Sequence, residues 1–181
     1  MRYLLPAVAL LSLTAVPLAG QAAAPTATPA NASVAATRQM WEMMTNYLTQ
    51  AAQDMPEDKY SYRPTPAVRS FGEIIGHVAG AQYLICAVAL GDPPRGEDEI
   101  EKTVKDKAGL IQALRQSTEY CGRAYQQADA ATRAPAKLFG MDVTRFHALV
   151  LNATHNGEHY GNIVTYLRIN GMVPPSSRGG M

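Results

Sequence analysis

The chain has 181 residues, and 47% of its side chains are hydrophobic, which is enough to bury one core in one domain. Its formal net charge is +1, from 16 Lys and Arg against 15 Asp and Glu, and the basic residues form no cluster. We therefore expect no nucleic-acid partner, since such a partner needs a basic surface.

The N-terminus has the pattern of a secretory signal peptide. A largely apolar run to Leu18 is followed by small residues at 20–24, where a peptidase could cut. We predict a signal peptide over residues 1–23, a disordered leader over 24–33 that is rich in Ala, Pro and Thr, and a periplasmic or secreted protein. An uncleaved membrane helix is the alternative, but the run is short for a spanning anchor. No stable membrane anchor is expected after cleavage.

Helix 1 is predicted over residues 34–54, where apolar residues recur at helical spacing. Its methionines are interpreted as core filling. Helix 2 is predicted to begin after Ser70, because Glu73 three residues later completes a capping box, and to run as an apolar segment to Gly91.

His77 lies in the second turn of helix 2, between Gly76 and Gly80. Each glycine inside a helix costs up to about 1 kcal/mol relative to alanine, so the pair indicates close packing or a site that needs room. On its own, His77 is explained most simply as a buried histidine satisfied by one hydrogen bond.

Residues 91–105 form a long crossover that begins with two prolines and carries an acidic stretch, which we interpret as a solvated loop. Fifteen extended residues reach about 50 Å, enough to run back along a helix. Asp106 is predicted to cap helix 3. The crossover length therefore allows helices 2 and 3 to be parallel.

The two cysteines offer a check on this topology. Cys86 lies fifteen residues past Phe71 and Cys121 fourteen past Lys107, so they share a depth if the helices are parallel and are offset by about 15 Å if they form a hairpin. Only the parallel arrangement permits a disulfide, and two buried free thiols are the alternative.

The last helix carries two histidines four residues apart. A loop is predicted over residues 130–141, after which Asp142 or Thr144 caps a helix that ends at Gly171. Its residues His155 and His159 lie about 40° apart on one face, close enough to share a metal ion, although two ligands alone do not make a good site.

Two other features of this helix have alternative explanations. His147 falls about 100° from the midpoint of the pair and is predicted to lie on the surface. The string from His155 to His159 also matches the H-x-x-E-H motif of inverted zinc peptidases, with Glu158 as the base. That mechanism needs a downstream carboxylate ligand, and no Asp or Glu follows His159, so we set the peptidase aside.

Residues 62–91 and 155–177, in this order, resemble segments of the DinB superfamily of helical bundles. The resemblance covers most of the chain from residue 34 onward. It implies an all-α four-helix bundle over 34–181 with up-down-down-up connectivity, in which parallel helices 2 and 3 are joined by the long crossover. It also implies three metal ligands, which are His77, His155 and His159.

Three neutral imidazoles leave a divalent ion, Zn²⁺ or Ni²⁺, with open coordination positions. The resemblance therefore implies a metal-dependent hydrolase or transferase with an unidentified small-molecule substrate. Some relatives resemble S-transferases and isomerases that use bacillithiol or mycothiol, but these are cytoplasmic thiols and the export signal argues against them. A homodimer is compatible with this prediction.

The rival hypothesis is a metal-binding structural or stress-related interaction module without turnover. The sequence supplies no obvious general base, because Glu73 and Glu158 are candidates by position only.

Overall fold

The computed structural model describes residues 31–179, so the predicted signal peptide and the leader up to residue 30 lie outside the described residues. Within residues 31–179 the chain forms four long α-helices, two short ones and a small hairpin. In chain order these are α1 (Ala32–Asp54), α2 (Phe71–Leu90), α3 (Glu99–Thr103), α4 (Lys107–Ala124), α5 (Asp129–Thr132), β1 (Pro135–Leu138), β2 (Met141–Thr144) and α6 (Arg145–Ile169). α1 begins two residues before its predicted start.

The N-terminal caps predicted for the later helices are present. The Ser70 hydroxyl accepts from the backbone N–H of Glu73, whose carboxylate accepts from the backbone N–H of Ser70 in return, completing the capping box of α2. Asp106 caps α4, and Thr144 rather than Asp142 caps α6. These polar side chains satisfy helix N–H groups that have no partner within the helix.

The two middle helices of the bundle, α2 and α4, run in the same direction. Gly72 near the start of α2 lies beside Leu110 near the start of α4, and further along Cys86 is bonded to Cys121. The Cα atoms of the two cysteines are 5.3 Å apart. The parallel arrangement predicted from the crossover is confirmed, and the free-thiol alternative is wrong.

The outer helices, α1 and α6, also run in the same direction as each other, and α6 runs antiparallel to α2. Met44 lies beside Gly157, and one turn further along Tyr47 stacks on Tyr160. The α2 to α6 pairing is shown by contacts at both ends. The Tyr166 hydroxyl donates to the carbonyl of Arg69 before α2, and Arg145 donates to the carbonyl of Leu90 at its end. The connectivity is therefore up-down-down-up.

The central helix of the core is α2, whose two ends contribute to two apolar clusters. One cluster surrounds Phe71 and Leu110, and the other surrounds Trp41 and the disulfide. By length and composition α2 could cross a membrane, but 72% of its most apolar window is buried inside the fold. Burial against the other helices therefore accounts for its apolar composition.

The acidic stretch of the crossover contains α3 and its backbone packs against α2, so its interpretation as a loop is wrong, although Asp98 and Glu99 are exposed to solvent as predicted. A Cβ atom at Gly76 would come within 2.9 Å of the Cα atom of Glu101, and one at Gly80 would overlap with the carbonyl oxygen of Glu97. The two glycines leave a shallow groove on α2 that admits the backbone of the crossover. Close packing, one of the two explanations given for these glycines, is thus confirmed.

The segment predicted as a loop over residues 130–141 contains α5 and most of an antiparallel hairpin, which is a second correction. Pro135 pairs with Thr144 and Leu138 with Met141, around a two-residue turn in which Phe139 and Gly140 both have positive φ. Such a turn matches the twist of the flanking strands. The hairpin ends directly at the capping residue of α6, which fixes where that helix begins.

Candidate metal centre

The three histidines singled out in the sequence meet between α2 and α6. His77 comes from the second turn of α2, and His155 and His159 come from successive turns of α6. α2 and α6 are antiparallel, and hydrogen bonds join Asn156 to Gln82 on one side of the histidines and Tyr166 to Arg69 on the other. His77 of α2 therefore faces the two histidines of α6. His77 and His159 are buried, and His155 is partly buried.

The side chains converge through the same atom of each ring. The Nε2 atom of His155 lies 3.2 Å from Nε2 of His77 and 3.0 Å from Nε2 of His159. Around a tetrahedral Zn²⁺ with Zn–N distances of 2.0–2.1 Å, neighbouring ligand nitrogens are about 3.3 Å apart. The spacing of the three nitrogens therefore fits a shared divalent ion.

The protonation states of the three rings also fit a shared divalent ion. Burial, together with the Arg69 guanidinium and a neighbouring histidine, lowers the pKa of His77, His155 and His159 to about 4 each. At neutral pH all three rings are neutral, which is the form that binds metal. In the tautomer that leaves all three Nε2 atoms without a proton, these atoms would repel one another at this distance unless a cation lay between them.

The opposite nitrogen of each ring, Nδ1, differs from Nε2 in having no polar partner within hydrogen-bond distance among the described residues. Nδ1 of His77, His155 and His159 is buried and has no hydrogen-bond partner in the described part of the chain. A neutral histidine that binds metal through Nε2 carries its proton on Nδ1 and normally donates it to a carboxylate, a carbonyl or water.

Two glutamates that the sequence analysis did not assign to the site lie next to His77. Oε1 of Glu97 is 3.8 Å from its Nε2 atom, and Oε2 of Glu101 is 3.6 Å from its Nδ1 atom. Burial and the neighbouring Asp98 carboxylate raise the pKa of Glu97. The sequence feature that could have indicated these two glutamates is the pair Gly76 and Gly80, which lets the crossover approach α2.

A second grouping of possible ligands overlaps the first. Side-chain atoms of His77, Asp98 and Glu101 lie within 4.8 Å of one another. Asp98, however, is exposed and pairs with Lys102 at 3.0 Å, and Glu101 pairs with Arg69 at 3.0 Å. Because both carboxylates already have cationic partners, the three-histidine group fits a metal ion better.

A cleft of about 740 Å³ opens beside the histidines. It lies between the loop before α2 and the exposed side of α6, with Arg69, Glu101 and His159 among its walls. A small molecule in this cleft would reach His159 from the solvent side. The cleft thus gives the centre an approach for a substrate.

The two carboxylates considered as general bases are placed differently. Glu73 accepts from the backbone N–H of Ser70 at 2.7 Å and from Arg63 at 2.9 Å, and these groups lower its pKa. Its carboxylate is thus occupied by the helix cap. Glu158 is exposed and lines the cleft next to His159. His147 is exposed near the start of α6, as predicted.

The sequence matches the family model of the DinB superfamily over residues 36–163. No curated protein matches the chain.

Several solved structures share the fold. A DinB-like protein from Bacillus cereus superposes with a TM-score of 0.68 at 18% identity, covering 80% of this chain and 95% of that one. YfiT from Bacillus subtilis, described as "a probable metal-dependent hydrolase with an unusual four-helix bundle topology", gives 0.63 at 17% identity, with 83% and 94% covered. A mycothiol-dependent maleylpyruvate isomerase gives 0.59 at 12% identity, with 75% and 66% covered.

Proposed function

Because the chain belongs to the DinB superfamily, we propose that its three clustered histidines hold one divalent metal ion and that the protein is a metal-dependent hydrolase or transferase. The ligands are Nε2 of His77, His155 and His159, and the ion is Zn²⁺ or Ni²⁺. The observation that carries the proposal is the convergence of three neutral, buried or partly buried imidazoles, with Nε2 of His155 at 3.0–3.2 Å from the other two, beside an open cleft.

A metal ion held by three imidazoles supplies Lewis acidity at its open positions, where it lowers the pKa of water or binds a thiolate. The protein's own groups set what can approach. α2 and α6 cover the histidines from the core side, and the cleft leaves His159 accessible from solvent. The charged side chains of the cleft wall are Arg69, its ion-pair partner Glu101, and Glu158, so the wall carries no net positive charge.

Hydrolysis is the reaction that we favour over thiol transfer. YfiT is described as a probable metal-dependent hydrolase, whereas the maleylpyruvate isomerase depends on mycothiol. The signal-peptide pattern supports export, and the Cys86–Cys121 disulfide is the kind of bond that persists in an oxidising compartment. A periplasmic or secreted protein has no access to a cytoplasmic thiol as co-substrate, whereas water, the co-substrate of hydrolysis, is present in every compartment.

A non-catalytic metal-binding module is the second candidate. It is favoured by the position of Glu97, whose carboxylate lies 3.8 Å from the proposed ligand atom of His77 and could close a coordination position. A filled fourth position marks structural metal sites, and an open one marks catalytic sites. A nucleic-acid partner is not part of either candidate, and a homodimer is compatible with both.

The test is metal analysis of the protein purified without a histidine tag. We expect one divalent ion per chain in the wild type and in His147→Ala, which removes an exposed histidine of the same helix. We expect a loss of at least tenfold in metal affinity in each of His77→Ala, His155→Ala and His159→Ala, because each removes a ligand. Undiminished metal in all three variants would refute the site.

Turnover separates the two candidates. The metal-loaded wild type is assayed against a panel of esters, amides and phosphoesters, with the metal-free protein as control. Metal-dependent hydrolysis of any of them supports the enzyme. Full metal binding without turnover of the panel, together with a saturated four-ligand coordination shell, supports the structural module.

A further inference from the structure

Glu101 faces the side of His77 that points away from the other two histidines. Its Oε2 atom is 3.6 Å from Nδ1 of His77, a nitrogen that is buried and has no hydrogen-bond partner in the described part of the chain. The His77 side chain is 8% exposed and that of Glu101 is 17% exposed. The two groups therefore face each other largely shielded from solvent.

The need for an acceptor at this position follows from the proposed metal site. A histidine that binds metal through Nε2 keeps its proton on Nδ1, and an acceptor for that proton fixes the tautomer and the orientation of the ring. Glu97 and Glu101 are the carboxylates within 4.0 Å of these three rings in residues 31–179. Of the two, Glu97 faces Nε2, so Glu101 is the one that faces Nδ1.

Three parts of the fold hold Glu101 in place. Its second oxygen, Oε1, accepts a hydrogen bond from Nε of Arg69 at 3.0 Å. Gly76 has no side chain, so the backbone of Glu101 can lie against α2, where a Cβ atom would come within 2.9 Å of it. The surrounding helix α3 fixes the direction of the side chain. The carboxylate is thus positioned before any metal binds.

We propose that Glu101 is a positioning residue that accepts the Nδ1 proton of His77 and so orients this ligand toward the metal. The inference rests on the proposed function, since binding an ion through Nε2 is what requires the proton to sit on Nδ1. The present separation is longer than a hydrogen bond, and a movement of less than about 1 Å closes it. Arg69 acts through Glu101 by holding the carboxylate in place through its hydrogen bond to Oε1.

Zinc affinity, measured by competition with a chromogenic chelator, tests the inference. We expect Glu101→Ala to weaken zinc binding by about 10- to 100-fold, the usual effect of losing the acceptor behind a metal-bound histidine. Glu101→Gln keeps an oxygen acceptor without the charge, so its zinc affinity should lie between those of Glu101→Ala and the wild type. The matched control is Glu99→Ala, which removes an exposed glutamate from the same short helix and leaves the affinity unchanged.

A second readout separates positioning from a purely structural role. In the zinc-loaded wild type, ¹⁵N-resolved proton NMR should show a downfield Nδ1–H signal from His77, assigned with His77→Ala. Glu101→Ala should shift it upfield or lose it to solvent exchange. If Glu101 served only as the ion-pair partner of Arg69, Glu101→Ala would lower thermal stability and leave this signal unchanged.

The outcomes are distinguishable. If Glu101→Ala binds zinc as tightly as Glu99→Ala and leaves the His77 signal unchanged, the inference is wrong, and the metal site stands as long as His77→Ala loses affinity. If the wild type binds no zinc, nickel or other divalent ion, the proposed function fails and the inference fails with it.

Discussion

At the scale of single residues, one buried side chain joins all four long helices. Gln82 of α2 is fully buried, and its Oε1 atom accepts from the Trp41 indole of α1 at 3.0 Å and from Asn156 of α6 at 3.3 Å. Its Nε2 atom donates to the hydroxyls of Ser117 and Thr118 on α4 at 3.0 and 3.2 Å. The Gln82 amide thus fixes how the four helices are aligned along the bundle axis, at a point about one helical turn from His77.

We expect Gln82→Ala to destabilise the fold by roughly 2 to 4 kcal/mol, because it leaves the buried indole and amide donors without partners and opens a small cavity. The matched control is Gln112→Ala on the exposed side of α4, with a change within about 0.5 kcal/mol. Urea unfolding followed by circular dichroism measures both. Equal midpoints for the two variants would show that the Gln82 network contributes nothing to stability.

The residues of the candidate centre were predictable to different degrees. The spacing of His155 and His159 on one helix face follows from helical geometry alone. His77 lies about eighty residues upstream, and nothing local distinguishes it from a buried core histidine, so its assignment required the family resemblance. Glu97 and Glu101 were missed because an acidic run without periodicity is usually solvated, and only the packing of the crossover brings them to the site.

At the scale of elements, the glycines of α2 decide how the crossover packs. Gly80 lies directly under the backbone of Glu97, so any side chain at this position would displace the crossover. Gly161 of α6 has open space where a Cβ atom would be. The same substitution therefore has opposite consequences at these two glycines.

We predict that Gly80→Ala lowers the free energy of unfolding by about 1 to 3 kcal/mol, because overpacking against a backbone cannot be relieved by side-chain rotation. Gly161→Ala should raise it by up to about 1 kcal/mol, because alanine is the better helix former and meets no obstacle. Thermal unfolding of both variants measures the difference. A stabilised Gly80→Ala variant would show that the crossover does not pack on this face of α2.

The element boundaries show what patterns can and cannot predict. The capping box of α2 and the cap of α4 could be predicted from the sequence, because the side chain that satisfies a helix end lies next to that end in the chain. The hairpin could not be predicted. Strands of four residues are too short to show an alternation of apolar and polar side chains, and the turn is Phe-Gly rather than the more typical Asn-Gly.

At the scale of the whole molecule, the topology was predicted from a distance argument. A fifteen-residue crossover allows parallel middle helices, and cysteines at matching depths can bond only in that arrangement; the disulfide, with its Cα separation of 5.3 Å, confirms it. Antiparallel α2 and α6 then follow from the up-down-down-up order, and this order brings His77 opposite the histidine pair. The clustering of the three histidines is therefore a consequence of the connectivity as well as of their positions in the sequence.

The measurement that bears most directly on the proposed centre is X-ray absorption spectroscopy at the zinc edge of tag-free, zinc-loaded protein. We expect a first shell containing three imidazole nitrogens at about 2.0–2.1 Å, with the multiple scattering of histidine rings, and fewer imidazoles in His77→Ala. A shell with fewer than three imidazoles in the wild type, or a spectrum that His77→Ala leaves unchanged, would contradict a site built from α2 and α6.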